Sequence, residues 1–135
     1  MPTPLPYDAS VIAAVNAFTA LLNTGFLNIY TGAQPALNGA ISGTLLASLT
    51  FSATAFPTAV AATGTVTATA NAIGNAIAGN TGTAGYFSLM ASNGSTIVAT
   101  GDVGVSGASL NLSTLSINAG QTVSCSSFLV TMAET

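Results

Sequence analysis

The sequence predicts an all-β fold: an antiparallel β-sandwich or jelly-roll-like domain of about seven strands, preceded by an extended arm and one short helix. Three observations predict it. Apolar and polar residues alternate with period two across Thr44 to Ser52 and again across Ala61 to Ala70. Asn93-Gly94 sits between two apolar runs, which is the strongest short-range hairpin signal. Clusters of Gly, Asn, Ser and Pro recur at intervals of about 8–12 residues, the spacing of short strands joined by tight turns. With 135 residues, the chain has room for one domain around one core.

The elements follow in order. Pro2, Pro4 and Pro6 stiffen residues 1–9 into an extended arm, because proline fixes its own φ and pushes its predecessor to extended geometry. The arm is either a disordered tail or a reach onto a neighbouring subunit that buries Leu5 and Tyr7. Residues 10–25 read as a helix and its cap. Ser10 is placed to cap Val11 to Leu22, and Val11, Val15, Phe18 and Leu22 share one face of a 3.6-residue period. Gly25 stands where a left-handed C-terminal cap belongs. This helix either covers an open end of a sheet or packs against its own copy.

Residues 26–132 form the β domain, and 133–135 a tail. Phe26 to Thr31 is the first strand, and Gly32 to Gly43 a loop. Thr44 to Ser52 follows, with Leu45, Ala47, Leu49 and Phe51 on one face. Ala61 to Ala70 reads as a single strand with a small-residue buried face, at an edge or a close backbone approach. Asn71 to Thr83 is a polar loop. Tyr86 to Ala91 and Thr96 to Thr100 make the hairpin, and Gly101 to Gly107 a turn region. Leu110 to Leu112 and Leu115 to Ile117 are short extended pieces, and Asn118 to Gln121 is a turn. Thr122 to Met132 is the last strand. Its apolar residues change parity between Cys125 and Phe128, which predicts a β-bulge near Ser126-Ser127.

Composition excludes more than it suggests. The chain contains no Lys, Arg or His, and its charged side chains are Asp8, Asp102 and Glu134, for a net charge of −3. Nucleic-acid binding draws its affinity from cations that neutralise phosphate, so it is excluded, as are phosphorylated cofactors held by Lys or Arg. No run of about 20 apolar residues exists to span a bilayer: Phe51 to Gly79, the richest stretch, is broken by Thr, Pro, Gly and Asn. The N-terminus lacks the positive region of a secretory signal, so the expected place of synthesis is a cytoplasm.

Chemistry-bearing residues are equally scarce. Acid–base catalysis needs titrating groups that converge. Asp8 belongs to a helix start, Glu134 to a tail and Asp102 to an Asx-type turn, so no enzymatic activity is expected. Only a fold that united Asp8 with Asp102 would change this. Zinc needs Cys and His clusters and calcium several carboxylates in one loop, so neither metals nor cofactors are expected. Cys125, the one cysteine, reads as a small buried hydrophobe. Thr65, Thr67 and Thr69 form a single outward row, too short for a repeating ice-binding ladder.

Several stretches carry a resemblance. Residues 26–35 (FLNIYTGAQP), 43–51 (GTLLASLTF), 82–87 (GTAGYF), 92–94 (SNG), 101–108 (GDVGVSGA) and 117–123 (INAGQTV) resemble, in that order, small virion proteins of tailed bacteriophages. The resemblance implies a β scaffold and a particle component, most simply a capsid decoration or cement protein on the virion surface. Such a protein binds the major capsid protein and its own copies, as a trimer or dimer. A tail or head–tail component on the same scaffold, or a glycan-binding surface module, are the alternatives. On this reading Leu5, Tyr7, Val11, Val15, Phe18 and Leu22 are the interface candidates.

Overall fold

The computed structural model describes residues 7–112, 114–125 and 128–133. One helix, α1 (Asp8–Ala20), precedes β1 (Phe26–Thr31), β2 (Leu45–Thr50), β3 (Val60–Ala62), β4 (Thr65–Thr69), β5 (Ala76–Ile77) and β6 (Gly82–Met90). β7 (Ile97–Gly104), β8 (Leu110–Asn111), β9 (Ser116–Ile117), β10 (Thr122–Val123) and β11 (Leu129–Ala133) follow. The protein is thus predominantly β with one short N-terminal helix. The described strands number eleven rather than about seven, because two expected strands are divided and β5 lies in an expected loop.

The helix begins earlier than expected. Tyr7 is the extended N-cap residue and makes no side-chain cap. Its carbonyl accepts from the Ser10 and Val11 amides at 2.9 and 3.2 Å, so Ser10 lies inside the first turn and is not the cap. Asp8 opens the helix, where a carboxylate complements the positive end of the helix dipole. At the other end Thr24, with φ 56°, takes the left-handed conformation expected of Gly25. Gly25 is required for a different reason: a Cβ there would strike the Met90 carbonyl oxygen of β6.

Three sheets are formed. The largest has the order β2-β1-β6-β7-β8, with β9 also paired to β6; β10 pairs β5, and β4 lies between β3 and β11. All pairings are antiparallel except the two-residue contact of β8 with β7. The hairpin of β6 and β7 forms at Asn93-Gly94. The Gly94 amide closes the turn on the Ala91 carbonyl at 2.9 Å with Gly94 at φ 72°. Asn93 Oδ1 accepts from the Ser95 and Thr96 amides, both at 2.9 Å.

Four expectations are corrected here. The run Ala61 to Ala70 is a hairpin, β3 and β4, turning at Thr63-Gly64, and β4 is the centre of its sheet rather than an edge. Asn71 to Thr83 contains β5 and the start of β6. β7 runs on to Gly104, so Asp102 sits in a strand opposite Tyr86. The last run is two strands in different sheets: β10 on β5 and β11 on β4. The bulge expected near Ser126-Ser127 lies outside the described residues. A bulge is instead found in β2, where Leu46 is an extra residue opposite Ile29 and Tyr30. It turns both Leu46 and Ala47 inward and leaves Leu45 exposed.

One core serves all the layers. Leu27, Ile29, Ala47, Leu49, Phe87 and Leu89 from the large sheet join Val66 and Ala68 from β4 and Val11, Val15 and Leu22 from the helix segment. Aromatic contacts bridge the layers: Phe87 meets Phe128 edge-on at 5.5 Å, Phe128 meets Phe56 at 6.4 Å, and Phe56 meets Phe51 at 5.8 Å. Small Ala residues at positions 47, 55, 59, 68, 78 and 84 keep the packing thin.

Gly85 fixes the register of β1 on β6. Tyr30 faces Tyr86 and Thr31 faces Ala84, so Gly85 is the extra residue of a bulge. Its missing side chain leaves room for the Gly32 carbonyl, which an added Cβ would overlap. Both partners are backbone and cannot move aside independently. Gly85→Ala is therefore expected to cost about 1–3 kcal/mol, read as a lower urea midpoint at unchanged m-value.

Candidate binding surfaces

Asp8 and Asp102 are not brought together. Asp8 opens α1, which packs on the β3-β4-β11 sheet, whereas Asp102 stands on β7 of the large sheet. Asp102 Oδ1 accepts from the Ser109 amide at 3.0 Å and so fastens the loop between β7 and β8. That backbone amide, with help from the Ser109 hydroxyl, holds the Asp102 carboxyl below its ordinary value. The carboxylate spans a longer loop than the Asx-type turn expected for it. Among the described residues no three of His, Cys, Asp and Glu come together. No described helix is long and apolar enough to cross a membrane.

The interface candidates divide. Val11, Val15 and Leu22 are buried in the chain's own core, so the expectation that they bind another molecule is corrected. Their 3.6-residue stripe marks the face that α1 lays on β3, β4 and β11. Phe18 is half-buried against the same core. Tyr7 is 85% exposed and remains available. Leu5 lies outside the described residues.

Neutral hydrogen-bonding side chains define a second region, on the face of the large sheet away from the core. Register places Ser48, Asn28, Ser88 and Thr100 in one row across β2, β1, β6 and β7. Asn28 accepts from the Ser48 hydroxyl at 2.5 Å and donates to the Tyr30 hydroxyl at 3.4 Å. Tyr30 and Tyr86 stack with ring centres 5.1 Å apart and planes within 14°. The Tyr86 hydroxyl donates to the Ser42 carbonyl and accepts from the Ser42 amide, which draws the Gly32–Gly43 loop over the row. Gln34 adds a bond to Thr100 at 3.2 Å. Between that loop and β7 lies a groove of about 310 Å³ lined by Ala36 to Gly39 and Ile97 to Thr100. It contains no titratable group. This region escaped the sequence reading because polar residues inside strands look solvent-facing.

Ser88 is fully buried in this row, and its hydroxyl has no hydrogen-bonding partner among the described residues.

The third region is the outer face of the β3-β4-β11 sheet. Val60 and Ala62 of β3, Thr65, Thr67 and Thr69 of β4, and Leu129, Thr131 and Ala133 of β11 lie side by side in register. Val60 and Leu129 are 68% and 53% exposed, and the Thr67 and Thr131 hydroxyls bond across the strands at 3.2 Å. No charged side chain stands in it.

No family model, no curated protein and no solved structure matches the chain.

Two expected outcomes follow from these placements. Leu22→Ala removes core volume and should lower stability by about 2–5 kcal/mol, a loss seen equally in dilute and concentrated protein. In the polar row the signs are opposed. Tyr86→Phe strands the Ser42 groups and should cost about 1–2 kcal/mol, whereas Ser88→Ala removes a buried unpaired hydroxyl and should be neutral or stabilising by up to about 1 kcal/mol. Urea unfolding of each variant measures them.

Proposed function

We propose that this protein is a virion structural protein of a tailed bacteriophage, a decoration or cement protein that stabilises the head by binding capsid protein and its own copies. The scaffold for this role is a sandwich-like pairing of the six-stranded and three-stranded sheets around one core. The observation that carries the reading is the exposed outer face of β3, β4 and β11, made of Val, Leu, Ala and Thr without a charge.

That surface suits adhesion to protein and little else. Burial of apolar area contributes roughly 25 cal/mol per Å² before association costs. A lattice presenting many equivalent sites turns modest contacts into avidity. Neutral contacts depend little on ionic strength, which suits a shell that meets different media. The resemblance of residues 26–35, 43–51, 82–87, 101–108 and 117–123 to small virion proteins supports the same role.

An antibody raised against the chain, applied to particles purified from the phage that encodes it, tests the proposal. Head labelling in electron micrographs is expected, with the protein retained on particles alike in about 50 mM and about 1 M NaCl. Absence from purified particles overturns the virion assignment. Labelling confined to tails overturns the decoration role.

A further inference from the structure

We propose that β11 is a dimerisation edge, across which two copies of this chain pair antiparallel about a two-fold axis centred on Thr131. The inference stands on the backbone of one strand and does not depend on the virion reading.

The exposed edges of the molecule are treated differently. On β2, the outer edge is covered by the following chain: the Gly74 amide donates to Thr50 O at 2.9 Å, the Gly79 amide to Leu46 O at 3.0 Å, and Asn80 Nδ2 to Leu45 O at 2.9 Å. Among the described residues β11 has no such cover, and its ladder partner is β4 alone. Proteins usually blunt a bare edge with Lys, Pro, an inward charge or a bulge. Leu129–Ala133 has none of these, and its register with β4 runs without a shift.

The ladder identifies which backbone groups are free. The Ala70 amide donates to Phe128 O at 2.8 Å, so the pair Phe128 and Ala70 is hydrogen-bonded. Alternation along an antiparallel ladder then directs the amides and carbonyls of Val130 and Met132 to β4. Those of Leu129, Thr131 and Ala133 point to the open edge. The close Thr67–Thr131 side-chain contact fits a pair that is not hydrogen-bonded.

These free groups match their own two-fold copy. With Thr131 opposite Thr131 of a second molecule, Leu129 faces Ala133 and Ala133 faces Leu129. Every outward donor and acceptor then finds a partner. Centring the axis on Val130 or Met132 leaves groups unpaired at one end, so Thr131 is the register that satisfies the strand. On the outer face the Thr67–Thr131 rung continues into its copy. On the inner face Met132, 39% exposed in one chain, packs against Val130 of the other. The two sheets merge into one whose charge-free outer face is continuous across the axis.

Sedimentation of the full chain over a range of concentrations, joined to residue-resolved amide hydrogen exchange, tests this. A species of twice the 13.1 kDa chain mass is expected, insensitive to salt. In it the amides of Leu129, Thr131 and Ala133 exchange slowly and accelerate on dilution. Those of Val130 and Met132 stay protected throughout. Thr131→Pro removes an outward amide and leaves the β4 ladder whole, as proline is tolerated on edge strands. It should raise the dimer dissociation constant at least about tenfold with an unchanged circular dichroism spectrum. Val105→Lys, in the exposed loop after β7, should leave the dimer intact. A monomer at all concentrations overturns the proposal. So does a dimer whose Leu129, Thr131 and Ala133 amides exchange freely, or a ring or filament, which would mean head-to-tail pairing of β11 with β3.

Discussion

Because the chain has no Lys, Arg or His to pair with a carboxylate, its long-range polar connections must be made by neutral groups, and asparagine carries more of them than any other residue type. Asn16 Oδ1 accepts from the Ala59 amide and Asn23 Oδ1 from the Ala55 amide, each at 2.9 Å. These two bonds fasten residues 55–59 along α1 and the turn after it. With the segment held there, Phe51 and Phe56 turn inward toward Phe128, and the helix, the β3-β4-β11 sheet and the large sheet come to share one core. Asn71 Nδ2 to Thr54 O at 2.8 Å and Asn28 with Ser48 act in the same way elsewhere. Neutral hydrogen bonds have a small net worth of about 1 kcal/mol each, but an amide left buried without one costs more. Their role is to choose among compact arrangements that apolar burial alone would leave equivalent.

A neutral sequence also changes how sheet edges are managed. Lys, the usual guard, is absent, so an edge must be blunted by Pro or a bulge, covered by the chain itself, or paired with a partner. The 74–80 segment covers β2 through backbone and Asn80 contacts that need no particular apolar pattern. At β7 and β8 the return loop is tied down by Asp102 on Ser109 and by the Leu112 amide on Gly104 O. Charge is therefore used once in the β domain's described part to hold a loop, and nowhere to decorate an edge.

Legibility in the sequence follows from which of these devices leaves a pattern. The α1 stripe, the hairpin at Asn93-Gly94, the turn at Asn118 to Gln121 and the strand Phe26 to Thr31 are all encoded by residue type at fixed spacing. The β3-β4 hairpin leaves no mark in the pattern because Thr63, in the turn itself, extends the Thr65-Thr67-Thr69 alternation as though no turn existed, although Ala62 pairs with Thr65 and the facing parity switches there. The parity change between Cys125 and Phe128 suggests a bulge within one strand near Ser126-Ser127, which lie outside the described residues. The structure has Val123 in the sheet of β5 and Val130 in that of β4, a separation no local pattern distinguishes from an irregular strand. Asn28 and Ser88 looked solvent-facing because nothing local shows that Tyr86 draws a distant loop over them. The helix stripe was legible as a buried face, but whether a face is buried by its own chain or by another is a tertiary question. Here β3, β4 and β11 answer it for Val11, Val15 and Leu22.

The same distinction separates the helix from β11 as a surface for assembly. An apolar helix face is satisfied by any apolar surface, including the chain's own, and α1 finds one. A strand edge requires a second strand with matched donors and acceptors, and only a limited set of segments can supply it. The segment that covers β2 is the residues 74–80; among the described residues no strand but β4 pairs with β11. Folding has thus used the apolar face of α1 internally and left the β11 edge outside. An exposed directional edge, without charge to add repulsion or salt dependence, specifies partner and register together. This favours a defined pairing of identical strands and leaves the apolar face beside them free for adhesion.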